Sequence, residues 1–374
     1  MTRTAALAAL VAALLFLHPS HRPVAEGAAR GASAEDWRAA AKRSQPMIEA
    51  GLVFLSKSQN ADGSFGGPET QNVRVAVTAL GALAFLAHGD VENRGGFQES
   101  LARAVKYLLA CSQKDGDRAG YFTATGDTVS RMHGQGFATL ALAETWGMYG
   151  TRRKYASSAE ELRKAVTRSI DLIARSQTTN GGWFYQPFEK TNDEGSITVC
   201  MIQALRSARE GGFHVPVQTV KDAVDYVHAS QAPDGSFKYS RTHDSKTSFE
   251  LTAAASATLI HAGGYYDRSI RSARDYLWNR SFDDFLRGPS QGYPYYGLLY
   301  AVQTLWFDYD QDRMSKHYPK IVDWFAMRFD PATGSFVDGS PIRNGESDYG
   351  PVYRTAVACL TLQVPHEILP IFRR

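Results

Sequence analysis

The chain has 374 residues, 44% of them hydrophobic and 21% charged, with a formal net charge of +3. That composition is ample for a large buried core. So small a charge, with no block of like-charged residues, argues against a nucleic-acid partner held through its phosphates.

The chain opens with Arg3 and an apolar run from Ala5 to Leu17, which His18 and Pro19 end. A helix of that length rises about 20 Å, short of the roughly 30 Å hydrocarbon core, so the run reads as an export signal rather than a membrane span. Ala25-Glu26-Gly27 and Ala32-Ser33-Ala34 are its small-x-small cleavage sites. Residues 1–34 are therefore assigned to a signal peptide and short linker, and the mature protein to the periplasm or the exterior. Residues 35–374 are assigned to one domain, because no polar linker divides them. No further transmembrane span is expected. Cys111, Cys200 and Cys359 fall on apolar helical faces and outside any CxxC, which predicts buried free thiols rather than a disulfide framework.

One phrase then recurs along the chain. It appears as Ser58-Gln59-Asn60-Ala61-Asp62-Gly63-Ser64-Phe65, as Ser112-Gln113-Lys114-Asp115-Gly116 with Tyr121 and Phe122 beyond, and as Ser176-Gln177-Thr178-Thr179-Asn180-Gly181-Gly182-Trp183. Ser230-Gln231-Ala232-Pro233-Asp234-Gly235-Ser236-Phe237 and a worn Asp330-Pro331-Ala332-Thr333-Gly334-Ser335-Phe336 follow. The glycines at 63, 116, 181, 235 and 334 are 53, 65, 54 and 99 residues apart. The last gap is about two periods, so a degenerate copy is expected near Phe285 to Gly292, making six units. Asn/Asp-Gly supplies a positive φ that ends a helix and reverses the chain. The aromatic anchors the turn, and the glutamine amide is suited to tying one unit to its neighbour's backbone.

Helix-period segments flank every phrase. Those before it are Ile48–Ser58, Leu101–Ser112, Ala165–Ser176, Val220–Ser230, Ile270–Asn279 and Tyr318–Arg328, of mixed polarity as half-exposed helices are. Those after it are Val73–Ala87, Gly134–Met148, Ser196–Glu210, Ser248–Ala262, Tyr296–Phe307 and Val352–Leu362, richer in Ala, Thr, Leu and Val. Strand signals are nearly absent. The expected fold is all-α, six helix pairs in two concentric rings, an α6/α6 barrel.

The helix–QxxDGSF–helix unit resembles the repeat of squalene cyclases and protein prenyltransferase β subunits, the terpenoid cyclase/prenyltransferase α/α-toroid family, over residues 40 to 365. Two stretches look like exported bacterial prenyltransferase/squalene-oxidase repeat proteins. One runs from Met132 through Glu144; the other comprises Gly181 to Pro187, Gly195 to Val199 and His214-Val215-Pro216. The resemblance implies a toroid and no particular chemistry. The family's catalytic patterns are missing. Asp308-Tyr309-Asp310-Gln311-Asp312 has the wrong spacing for the cyclases' Asp-x-Asp-Asp, and Asp283-Asp284 does not begin a magnesium-binding DDxxD. The zinc-holding Asp-x-Cys is absent, Thr198 standing where Cys200 would need an aspartate. No zinc, magnesium or other cofactor is expected.

In such a barrel the inner helices start at one mouth, where their dipoles favour polar or anionic groups. Residues at those starts are the candidates for chemistry: Asn72, Arg74, His133, Gln135, Asp193, Glu194, His243, Asp244, Lys246, Glu250, Glu346, Asp348 and Arg354. His133, Asp193, Glu194, His243, Asp244, Glu250 and Asp348 are the weak catalytic candidates; capping is the competing role for Asp193, Asp244 and Asp348. Tyr293, Tyr295, Tyr296 and Arg354 are candidates for ligand contact, the tyrosines through their ring faces. With scaffold motifs intact and catalytic ones missing, the expected role is binding an unidentified small molecule or protein partner at the central cavity. The alternative is a cavity enzyme, either terpenoid- or prenyl-processing, or carbohydrate-active with two carboxylates across the mouth.

Overall fold

A computed structural model describes residues 33–70, 72–91, 93–149, 158–243, 246–264, 267–287, 292–337 and 349–373. The proposed signal segment, Asp244, Glu346 and Asp348 lie outside the described residues. The helices are α1 (Ser33–Lys57), α2 (Arg74–His88), α3 (Gln98–Cys111), α4 (Arg131–Tyr149), α5 (Ala159–Arg175), α6 (Gly195–Glu210) and α7 (Val217–Ala229). They continue with α8 (Phe249–His261), α9 (Arg268–Asp275), α10 (Phe282–Arg287), α11 (Pro294–Trp306), α12 (Gln311–Ala326) and α13 (Gly350–Leu362). A π-helical turn, Tyr276–Ser281, joins α9 to α10, so the fifth outer helix is one interrupted rod. The only sheets among the described residues are two hairpins of two-residue strands, Phe237–Lys238 with Thr247–Ser248 and Phe329–Asp330 with Ser335–Phe336.

The inner ring runs α2, α4, α6, α8, α11, α13 and back to α2, each packed on the next, and α1 packs on α12 to close the outer layer. Small residues set this spacing: a Cβ on Gly136 of α4 would stand 2.7 Å from Cys200 Cβ on α6. The chain is thus an α/α toroid, as the repeat pattern predicts. All three cysteines are free and buried. One helix is longer than expected: α1 starts at Ser33 rather than near Ile48, because Trp37, Ala40 and Met47 also bury their side chains in the core.

Each phrase makes the same two contacts. Its aromatic residue (Phe65, Phe122, Trp183, Phe237 or Phe336) is buried. That residue's N–H donates to a side chain one turn inside the following inner helix: Thr78, Gln135, Thr198, Thr252 or Thr355. In the first, third and fourth phrases the glutamine also ties two units together. Gln59 Nε2 donates to Gly63 O in its own turn and to Ser100 O of the next outer helix, and Gln177 and Gln231 repeat the pair with Thr219 O and Ser269 O.

The phrase glycine has positive φ and lies against a backbone carbonyl of the next outer helix: Gly63 on Arg103, Gly181 on Asp222, Gly235 on Ser272 and, at the seam, Gly334 on Ala50 of α1. In the second unit this place belongs to Gly120, against Arg168, and not to Gly116, which has nothing within 4 Å of its missing Cβ. Gly116 does have the positive φ expected of a phrase glycine, and Gly120 takes the docking place. Gln135, a rim candidate from sequence, is also structural: it is fully buried, accepts from Phe122 N and donates to Gly120 O and Ser169 Oγ.

Candidate functional site

The starts of all six inner helices surround a cavity of about 640 Å³. Val73, Ala76, Val77 and Leu80 of the first unit, Val129 and Leu251 form its aliphatic wall. Seven aromatic side chains complete it: Phe137, Tyr185, Tyr239, Tyr293, Tyr296, Tyr349 and Tyr353. Polar groups are few and lie near the helix starts, among them Asp127, Arg131, His133, Ser196, Lys246, Ser248 and Glu250.

The opposite end of the ring is filled. Phe137 is shared between the cavity and a void of only about 10 Å³ bounded by Leu140, Leu299, Leu360, Leu369, Ile371 and Phe372. The last three belong to the segment after α13, which folds back under the ring; Leu369, Ile371 and Phe372 are buried there. Ile371 N donates to Glu144 Oε2 at 3.4 Å, and Ser207 Oγ donates to Glu144 Oε1 at 2.5 Å. Burial raises the Glu144 carboxyl to about 7. A second polar layer joins Gln203 Nε2 to Gln303 Oε1 and His261 Nε2 to the same oxygen. The cavity is thus a blind pocket entered from the helix starts.

The sequence candidates divide between the wall and its supports. His133 opens α4 and lies on the wall; its Nε2 is 3.0 Å from Ser196 Oγ, and its ring stacks on Phe137 with centroids 6.3 Å apart. Burial holds its imidazole down to about 4, so it is neutral at ordinary pH. Glu194 stands behind Ser196. It caps α6, accepting from Ser196 N at 3.1 Å and Ile197 N at 2.8 Å, and takes a bond from Ser196 Oγ at 2.6 Å. It is fully buried, and burial raises its carboxyl to about 7 against the pull of those bonds.

Asp193 is not on the wall. Its carboxylate is buried and knots the third and fourth phrases, accepting from Asn180 Nδ2, Ser240 Oγ and Arg241 N. His243 is likewise absent from the wall; its Nε2 meets Asn192 Oδ1 in an exposed contact. Glu250 lines the cavity. Of the ligand-contact candidates, Tyr293 and Tyr296 line the cavity, but Tyr295 points away, its hydroxyl donating to Val337 O at 2.9 Å and its ring edge-on to Trp324 and Phe325. Adjacent helical residues point about 100° apart, which puts the two neighbours on different faces. Arg354 is buried and directs Nε at Phe336 O, so it supports the sixth phrase instead of the wall.

Several wall residues escaped the sequence reading. Tyr185 and Tyr239 sit two residues beyond Trp183 and Phe237, the same offset in two consecutive phrases, and their hydroxyls meet. That shared offset was the available signal. Tyr349 and Tyr353 are four apart at the start of α13, one helical face. Asp127 caps α2 from the neighbouring unit's loop, accepting from Arg74 N at 2.8 Å and Val75 N at 3.3 Å. Among the described residues, no group of three or more His, Cys, Asp or Glu is placed to hold a metal ion. Nor is any of their helices long and apolar enough to cross a membrane.

The toroid fold agrees with what the chain is similar to. No curated protein matches it. Among solved structures, a variant of the type II terpene cyclase MstE from Scytonema, in complex with geranylgeranyl dihydroxybenzoate, superposes with a TM-score of 0.58 at 16% identity, covering 89% of this chain and 99% of that one. Cellobiose 2-epimerase from Bacillus thermoamylovorans gives 0.62 at 13% identity, covering 87% and 99%, and a D-mannose isomerase gives 0.57 at 14%, covering 86% and 97%. At these identities the likeness is one of fold. The family model for the prenyltransferase alpha-alpha toroid domain matches residues 38–216 and 196–293, more than half of the sequence, and the chain therefore belongs to that family.

Proposed function

We propose that this protein binds an apolar small molecule of terpenoid or prenyl type in the blind cavity, and that it does so outside the cytoplasm. The observation that carries the ligand class is the wall itself: seven aromatic rings and an aliphatic side surround about 640 Å³, a volume suited to a small-molecule ligand. Export rests on the apolar run from Ala5 to Leu17. The liganded terpene cyclase neighbour supports the class only as a fold precedent.

A sugar-processing role is the weaker reading despite the epimerase and isomerase neighbours. Hydrolysis at a glycosidic bond calls for two facing carboxylates. Of the described carboxylates on the wall, Asp127 is engaged in capping α2, which leaves Glu250.

The test uses farnesol as probe, with binding followed by native mass spectrometry. Ala76 lines the cavity from α2, and Ala76→Phe puts an aromatic ring into that space without removing any polar side chain. Wild type is expected to retain farnesol and Ala76→Phe to lose it, with both variants equally folded by circular dichroism. Equal retention by the two, or none by wild type, overturns the proposal.

A further inference from the structure

Three side chains make a continuous path from the protein interior to the cavity. Glu194 Oε2 is 2.6 Å from Ser196 Oγ, and Ser196 Oγ is 3.0 Å from His133 Nε2. Glu194 is buried, whereas Ser196 and His133 stand on the cavity wall. His133 Nδ1 has no hydrogen-bond partner among the described residues, so it is the polar end that the path leaves for the cavity.

The single O–H of Ser196 couples the two ends. When Glu194 is ionised, Ser196 donates to it, so Ser196 Oγ must accept from His133 Nε2–H, and Nδ1 presents a bare lone pair. When Glu194 is protonated, it donates to Ser196, Ser196 donates to His133 Nε2, and the ring proton must sit on Nδ1. Switching between the two moves one proton in balance. A proton arriving at Nδ1 releases Nε2–H to Ser196 Oγ, whose own proton passes to Glu194; the reverse sequence returns it. The imidazole is neutral in both end states.

We propose that Glu194, Ser196 and His133 form a proton wire whose outlet, His133 Nδ1, exchanges a proton or a hydrogen bond with an oxygen function on the cavity's ligand, which is therefore an apolar molecule bearing a hydroxyl or carbonyl at one end. The ligand class rests on the proposed binding function; the wire does not. The groups facing Glu194 are Asp193 and Tyr185 of the third phrase, Tyr239 of the fourth, Tyr226 of α7, Cys200 of α6 and Tyr296 of α11. None is a cation, and Asp193 adds to the effect of burial, which places the switch near neutrality. The imidazole's own protonation falls well below that range.

Histidine 15N-labelled protein tests the wire without any ligand. Long-range 1H–15N correlations report which ring nitrogen carries the proton, and the His133 signal is the one missing from His133→Phe. Wild type is expected to show Nδ1–H on the acid side of neutrality and Nε2–H on the alkaline side. Ser196→Ala, which keeps the Glu194 cap on α6, should hold one tautomer throughout. A single tautomer across the range in wild type, or the same switch in Ser196→Ala, refutes the wire. The oxygen function is tested with farnesol against farnesene, a similar isoprenoid lacking the hydroxyl. Farnesol should bind up to about tenfold more tightly, the size of one hydrogen bond, and His133→Phe should erase the difference. Equal binding by wild type removes the oxygen requirement, and binding of neither removes the ligand class, while the tautomer result decides the wire in both cases.

Discussion

Gly116 and Gly120 offer a direct test of how the repeat holds its ring together. Both have positive φ, 76° and 89°. Placing an L-residue there costs about 1–2 kcal/mol in either case. Beyond that they differ. A Cβ at 116 meets nothing within 4 Å. At 120 it would drive into the Arg168 carbonyl and come to 2.6 Å from Ser169 N, and these are backbone atoms of α5 that no rotamer change can move aside. Overpacking of that kind adds about 1–3 kcal/mol. Gly116→Ala is thus expected to lose about 1–2 kcal/mol and Gly120→Ala about 2–5 kcal/mol. The assay is chemical denaturation followed by far-ultraviolet circular dichroism, comparing the midpoints at a common slope. If Gly116→Ala lost as much stability as Gly120→Ala, the docking of each turn on its neighbour's backbone would not be what fixes these glycines, and the argument would fail.

Glu144 predicts a pH effect. Its folded pKa of about 7 lies above the ordinary glutamate value of 4.5, so the folded state holds the proton more tightly. The stability it contributes is full below about 4.5 and is lost as pH rises through about 7, a swing of up to about 3 kcal/mol. Glu194 shares this window, so Glu144→Gln should flatten part of the decline in denaturation midpoint and leave the rest. Thr198→Val removes the acceptor for the buried Trp183 N–H and should cost about 1–3 kcal/mol in the same assay; a neutral result would mean that the N–H finds another partner. Phe372→Ala, at the buried end of the segment that fills the ring, should cost about 3–5 kcal/mol, and a loss below about 1 kcal/mol would show that the segment is not docked as described.

The ring was legible because its signal is repeated: Gln59, Gln113, Gln177 and Gln231 mark the same turn at gaps of 54, 64 and 54 residues, and an inner helix begins 9 to 14 residues beyond the aromatic of each phrase. Where a phrase is stretched, the reading slips. Between Gln113 and Phe122 the chain carries extra residues, so the glycine nearest the motif is not the one pressed on α5. The site was legible as a place and less so as a set of residues. Helix starts gave the mouth, hence His133, Glu250, Tyr293 and Tyr296 on the wall. Whether a residue faces the wall depends on helix rotation, and a one-residue difference separates Tyr296 from Tyr295. Asp193 and Arg354 carry charge, which makes them conspicuous in a sequence, yet their partners come from backbone and loops distant along the chain.

The contact of Gly334 with Ala50 at the seam repeats the one made between successive units elsewhere in the ring. An open solenoid can gain or shed a module at its end, where only one interface is lost. A closed hoop has no end: every module leans on two others, and adding or dropping one would change the circumference and the bore together. The number of modules is therefore locked by geometry, while the wording of any single phrase is free to erode, because two flanks keep holding it in place. The history of such a chain should accordingly be written in altered letters within its modules and in the lining of its bore, seldom in a changed count.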